Sequence, residues 1–95
     1  MTTFIMTGRY SAEAIKRISA ERTTKGTKII QQHGGKLVAG YAVLGKNDLL
    51  IIVEFPGVSE VIKASIALNK ALGITFATVP ALGLEDFDKL VGAKS

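Results

Sequence analysis

The sequence predicts an α+β domain with the ferredoxin-like order β-α-β-β-α-β, followed by a short helix. Three observations predict it. The apolar period runs strand-like, helical, strand-like, helical and strand-like again along the chain. A Gly/Asn/Asp turn within Leu44–Leu49 separates two strongly apolar runs, Leu37–Leu44 and Leu49–Val53, which read as the centre of one sheet. Gly34-Gly35 and Gly73 then stand where the two helical stretches should stop, glycine being the residue that tolerates a left-handed cap.

The first strand is Thr3–Tyr10, rich in β-favouring Phe4, Ile5, Met6 and Tyr10, and it ends at Ser11, a good N-cap. From there Ile15, Ile18, Arg22, Gly26, Ile29 and His33 follow spacings of three and four and fall on one stripe. Two members are odd. Gly26 costs about 1 kcal/mol against alanine inside a helix, unless it lets the helix approach the sheet closely. Arg22 puts a charge on the packing side. A break with Ser19 capping a fresh helix would change the phase, and the sequence leaves both readings open.

Lys36–Leu44 and Asp48–Phe55 form a hairpin whose loop, with Gly45 and Asn47, suits at least one positive φ. Pro56-Gly57 closes its second strand. Ser59 is the expected cap of a second helix, Glu60–Leu72, with an acid in the first turn as the helix dipole favours. Ile74–Val79 is the fourth strand, alternating Ile74, Phe76 and Thr78 against Thr75, Ala77 and Val79. A short helix around Leu84–Val91 follows, and the tail Gly92–Ser95 is expected to fray.

Such a sheet, with helices on one face, should show polar residues on the other. This one does not. Leu49-Leu50-Ile51-Ile52-Val53 is apolar at both parities, as are Leu37, Val38, Val43 and Leu44. The second face therefore calls for a cover, and the simplest is another copy of the same sheet.

Composition agrees. A single domain of 95 residues with 47% hydrophobic residues carries more apolar surface than so small a core can bury. The absence of cysteine excludes disulfides, thiolate metal sites and cysteine nucleophiles. No run approaches the ~20 apolar residues of a membrane span, and no secretory signal precedes the first strand, so the expected compartment is the cytoplasm. Charge is uneven: residues 1–47 hold eight Lys/Arg against two acids, and residues 48–95 four against six. The basic half could face an anion or nucleic acid. It equally describes a solvated helix surface, and no aromatic residues are interleaved to stack on bases, which argues against nucleic acid.

Several segments together are similar to the GYD domain family, an uncharacterised family of the dimeric α+β-barrel superfamily. They are Thr3-Phe4-Ile5-Met6 before Tyr10-Ser11, Ser19-Ala20-Glu21-Arg22-Thr23, Gly34-Gly35, Leu44-Gly45-x-x-Asp48, Glu54-Phe55-Pro56, and Ala67-Leu68 before Gly73. In the naming motif Gly45 and Asp48 match, while Asn47 stands where the family has an aromatic residue. The resemblance implies a ferredoxin-like fold pairing sheet to sheet in an oligomer, and no particular reaction.

The candidate site residues each carry two readings. Asp48 is a carboxylate at the mouth of a cavity between sheet and helices, or a turn residue that accepts backbone N–H groups and fixes the hairpin register. Arg22 is an anion anchor, since guanidinium binds carboxylate or phosphate bidentately, or a partner for Asp48 or another acid, or a side chain that snorkels to water. Tyr10, Tyr41, Thr7, Thr75 and Thr78 could orient a ligand in an inter-sheet cavity, or are ordinary strand formers. Ser65 and Asn69, one turn apart, could reach a ligand or tie helix to strand. His33 is the only histidine; it is a weak metal candidate and a natural residue for a helix C-terminus. Glu85, Asp86 and Asp88 read as helix-start and surface charges. No nucleophile elbow, phosphate loop or metal-ligand spacing occurs, so no cofactor is expected.

The expected function is non-catalytic binding of a small molecule or protein partner by a homo-oligomer. The alternative is a cofactor-independent isomerase or oxygenase acting on a small apolar substrate between the sheets.

Overall fold

The computed structural model describes residues 1–92. The elements are β1 (Thr2–Tyr10), α1 (Ala12–Ile15), α2 (Ala20–Gln32), β2 (Lys36–Ala42), β3 (Leu49–Phe55), α3 (Val58–Leu72), β4 (Ile74–Ala81) and α4 (Leu84–Leu90). The strands form one sheet in the order β2-β3-β1-β4, every pair antiparallel. This is the ferredoxin-like α+β arrangement, with α2 and α3 on one face. The tail expected to fray lies, beyond Gly92, outside the described residues.

The core follows from the two periods. Phe4, Met6, Val53, Phe55 and Ile74 alternate along the strands, and Ile29, Ile30, Val61, Ala64, Leu68 and Leu72 recur along the helices; all are buried. The central pair of strands supplies the largest fully buried side chains, Phe55, Met6 and Val53. Proline at position 80 sits in β4, an edge strand that pairs only with β1, where a missing N–H donor is tolerated.

The structure decides one reading that the sequence leaves open and corrects two others. The first helix breaks: α1 is a single turn, and Ser19 caps α2 by accepting from the Arg22 N–H at 3.2 Å. The break leaves Ile15 and Ile18 exposed and starts a fresh stripe at Arg22, Gly26, Ile29 and Ile30. Gly26 is buried, and a Cβ there would meet Leu72 at 3.2 Å and Leu68 at 3.7 Å. The close approach it permits is therefore to α3, rather than to the sheet. The cap of α3 is Gly57, not Ser59, which lies inside the first turn.

The hairpin turn has one positive φ, +109° at Gly45, and Asn47 has none. Gly34 (φ 81°) and Gly73 (φ 68°) both adopt the left-handed conformation that ends α2 and α3.

The face away from α2 and α3 carries Ile5, Leu50, Ile52, Ala39, Ala77 and Val79, by the registers Ile5↔Ile52, Ile5↔Val79, Thr7↔Leu50, Thr7↔Ala77 and Ala39↔Ile52. Among the described residues no helix covers it, and Val79 is 55% exposed. The apolar second face read from the sequence is present. Nor does α4 bury any residue: Leu84, Phe87 and Leu90 are all exposed. No helix is long and apolar enough to cross a membrane among the described residues.

Candidate functional site

The end of β1 is where four elements meet. Tyr10 pairs with Ile74 at the start of β4, and the next residue, Ser11, donates its N–H to the Gly73 carbonyl at 2.9 Å. From the hairpin side, Asp48 accepts the Tyr10 N–H on Oδ2 at 2.9 Å and donates its own N–H to the Gly8 carbonyl at 2.8 Å. From α2, the Arg22 guanidinium donates through Nη2 to the carbonyl of Leu72, the last residue of α3. A cation there also complements the negative end of the α3 dipole.

Beside this junction, between α2 and the helix-side face of β2 and β3, lies a cleft of about 460 Å³. That is within the range of small-molecule sites. Its walls are apolar, with Leu37, Leu49, Ile51, Leu68, Ile74 and Phe76 among them. Polar groups come from Tyr10, Ser19, Arg22, Thr23 and Thr27. Two glycines are among its lining residues, Gly26 of α2 and Gly40 of β2.

The sequence-derived candidates separate into groups. Tyr10 and Arg22 come together in this cleft. Tyr41 borders it from the β2 edge, but its register with Leu50 puts it on the outer face of the sheet, and it is 57% exposed. Asp48 does not line the cleft; its carboxylate holds the Tyr10 backbone. Arg22 and Asp48 form no ion pair: Arg17–Glu13 is the one salt bridge among the described residues.

Ser65 and Thr78 line a second, smaller pocket of about 230 Å³ between α3 and β4, where the buried Thr78 hydroxyl has no hydrogen-bond partner. Asn69 ties helix to strand, donating to the Ile74 carbonyl at 3.3 Å and to the Thr75 hydroxyl at 3.2 Å. Thr7 faces outward and reaches the Ala77 carbonyl at 3.5 Å. His33 sits at the C-cap of α2 with Nδ1 2.8 Å from the Ile29 carbonyl. No group of three or more metal-binding side chains occurs among the described residues.

Sequence reasoning offered two cavities, one between sheet and helices with Asp48 at its mouth and one between sheets lined by the tyrosines and threonines; the cleft lies between helix and sheet, without Asp48 in its lining. Thr23, Thr27 and Gly40 were missed as lining residues. Thr23 and Thr27 carried a signal: each lies one or more turns beyond Ser19 on the side of α2 that Arg22 marks.

The Tyr10 phenol is raised above its ordinary value of 10.0, first by burial, then by the Asp48 carboxylate, with Arg22 opposing. Raising favours the neutral form in the folded state, so this stability is fully present below pH 10.0 and is lost as pH rises through the folded value. Tyr10→Phe is therefore expected to lose less stability than the parent above pH 10.0. Melting midpoints of both proteins across alkaline pH check this; parallel declines would refute it.

The fold is shared with a solved structure, the leucine response regulatory protein LrpA of Mycobacterium tuberculosis, with a TM-score of 0.62 at 7% identity. The match takes in 86% of this chain and 51% of that one, so the chain spans about half of the regulator's length. No curated protein matches the sequence. The GYD domain model matches residues 4–91, from β1 through α4 and the whole of the Tyr10–Asp48–Arg22 junction, and the chain belongs to the GYD domain family.

Proposed function

We propose that this protein is a non-catalytic binder of a small molecule that works as a self-associated oligomer. The observation that carries the binding reading is the cleft beneath α2: apolar walls and a few polar groups gathered near the α2 N-terminus are the usual make-up of a ligand site. Binding is favoured over the isomerase or oxygenase alternative because no Asp, Glu or His lines the cleft, and the Tyr10 phenol there, its pKa raised by burial, stays protonated and is a poor base. A proton-transfer enzyme needs a base within hydrogen-bond reach of its substrate.

Self-association is supported by the outer sheet face, where Ile5, Leu50, Ile52 and Val79 form an apolar surface without a helix over it, and by the exposed Leu84, Phe87 and Leu90 of α4. Apolar surface of this kind on a small domain marks an interaction site.

Native mass spectrometry of protein purified from its host tests both parts. The expected spectrum is a dimer or higher multiple of the 10.1 kDa chain, carrying a non-covalent small-molecule adduct. A bare monomer at micromolar concentration would overturn the proposal.

A further inference from the structure

We infer that the ligand of the cleft is an apolar carboxylic acid without an amino group, held by its carboxylate on Arg22 with its hydrocarbon body running under α2 against Gly40. This rests on the reading of the cleft as a ligand site and adds the chemistry of the ligand.

Among the described residues, Arg22 is the one cationic side chain lining the cleft, and no acid lines it. Its guanidinium has no carboxylate partner among the described residues. The hydrogen bond from Nη2 to the Leu72 carbonyl fixes its position and leaves other N–H donors of the planar fork for a carboxylate. The α2 N-terminus adds to the same end: Arg22 is its third residue, beside the Ser19 cap, where the helix dipole is positive. Tyr10, Ser19 and Thr23 line the cleft with it. Beyond them the walls are Leu37, Leu49, Ile51 and Phe76, which suit hydrocarbon and offer no partner to a second charged group.

An α-amino acid fits poorly for the same reason. Its ammonium would enter a cleft whose lining contains no Asp or Glu. Asp48, the acid beside Tyr10, is held by the Tyr10 backbone N–H at 2.9 Å and lies outside the lining. An ammonium without a counter-charge in apolar surroundings is costly. The selectivity expected here therefore excludes free amino acids.

Gly40 supplies the room. A Cβ at this position would meet only Ile51, at 3.4 Å, so the backbone admits a side chain, and a larger one would fill the cleft.

The test is calorimetric titration of the full chain at pH 7 with three probes sharing one hydrocarbon body: octanoate, 1-octanol and 2-aminooctanoate. Octanoate is expected to bind about tenfold or more tightly than either of the others, the scale of one charge-assisted hydrogen bond. Arg22→Gln should remove that preference while leaving octanol affinity within about threefold. Gly40→Leu should remove binding of all three. Octanol binding as tightly as octanoate, with Gly40→Leu abolishing both, would overturn the acid assignment while keeping the cleft as a site. Equal binding of 2-aminooctanoate would overturn the exclusion of amino acids. If no probe binds, or Gly40→Leu changes nothing, the cleft reading falls and the acid assignment with it. The comparison of probes on the unaltered protein decides the matter even if Arg22→Gln fails to fold.

Discussion

Gly35→Ala is expected to destabilise the protein by about 1–3 kcal/mol, toward the upper end, by forcing extra volume into a filled core. A Cβ at Gly35 would lie 2.4–2.7 Å from three ring carbons of Phe55. Phe55 is fully buried, sits at the end of β3 and pairs with Thr2, so neither ring nor strand can give way without disturbing the sheet. The opposing effect is small: replacing glycine by alanine restricts the unfolded chain, a gain of about 0.4–1 kcal/mol where the backbone permits it. The clash outweighs that gain. Urea unfolding midpoints measure the loss, and a second background isolates its cause. In Phe55→Leu, whose side chain lacks the ring, the further cost of Gly35→Ala should shrink. An unchanged cost would show that the backbone at Gly35, and not the ring, is what forbids a side chain.

Asp48→Ala is expected to cost about 1.5–3 kcal/mol, the range for a hydrogen bond to a charged group. The carboxylate is half-buried and takes the Tyr10 N–H at 2.9 Å, so its removal leaves that donor at the end of β1 unpaired. The backbone bonds of residue 48, to Gly8 at 2.8 Å and from Val43 at 2.9 Å, survive the substitution and limit the damage to the side chain. Asp48→Asn should cost less, because a carbonyl oxygen can still accept. Both variants should keep octanoate affinity within about threefold of the parent, since the carboxylate does not line the cleft. Loss of affinity without loss of stability would make Asp48 a ligand residue instead.

These two sites show how legible the chain is. Gly34-Gly35 marks a helix end in the sequence, and Gly34 does adopt the left-handed cap. The need for the second glycine comes from Phe55, at the far end of the β2–β3 hairpin, and no local pattern announces a ring packed against a distant backbone. Asp48 reads as a turn residue, and it is one; that the N–H it accepts belongs to Tyr10 in another strand follows from the β3-β1 pairing. Arg22 stood out on an apolar stripe because a charge there needs a reason. The carbonyl it meets ends a helix from the far half of the chain.

The sequence by itself determined the element order, the helix stops at Gly34 and Gly73, and a sheet apolar on both faces. Each is set by neighbours along the chain: periodicity, glycine's access to positive φ, and the parity of side chains on a strand. Only the tertiary structure decided that the first helix breaks at Ser19, that Gly26 serves the α2–α3 contact, and that Tyr10 and Arg22 meet over a cleft beneath α2. Those facts depend on how far apart two packed layers stand. That distance is fixed by side-chain volumes from segments remote in sequence, which local pattern does not encode.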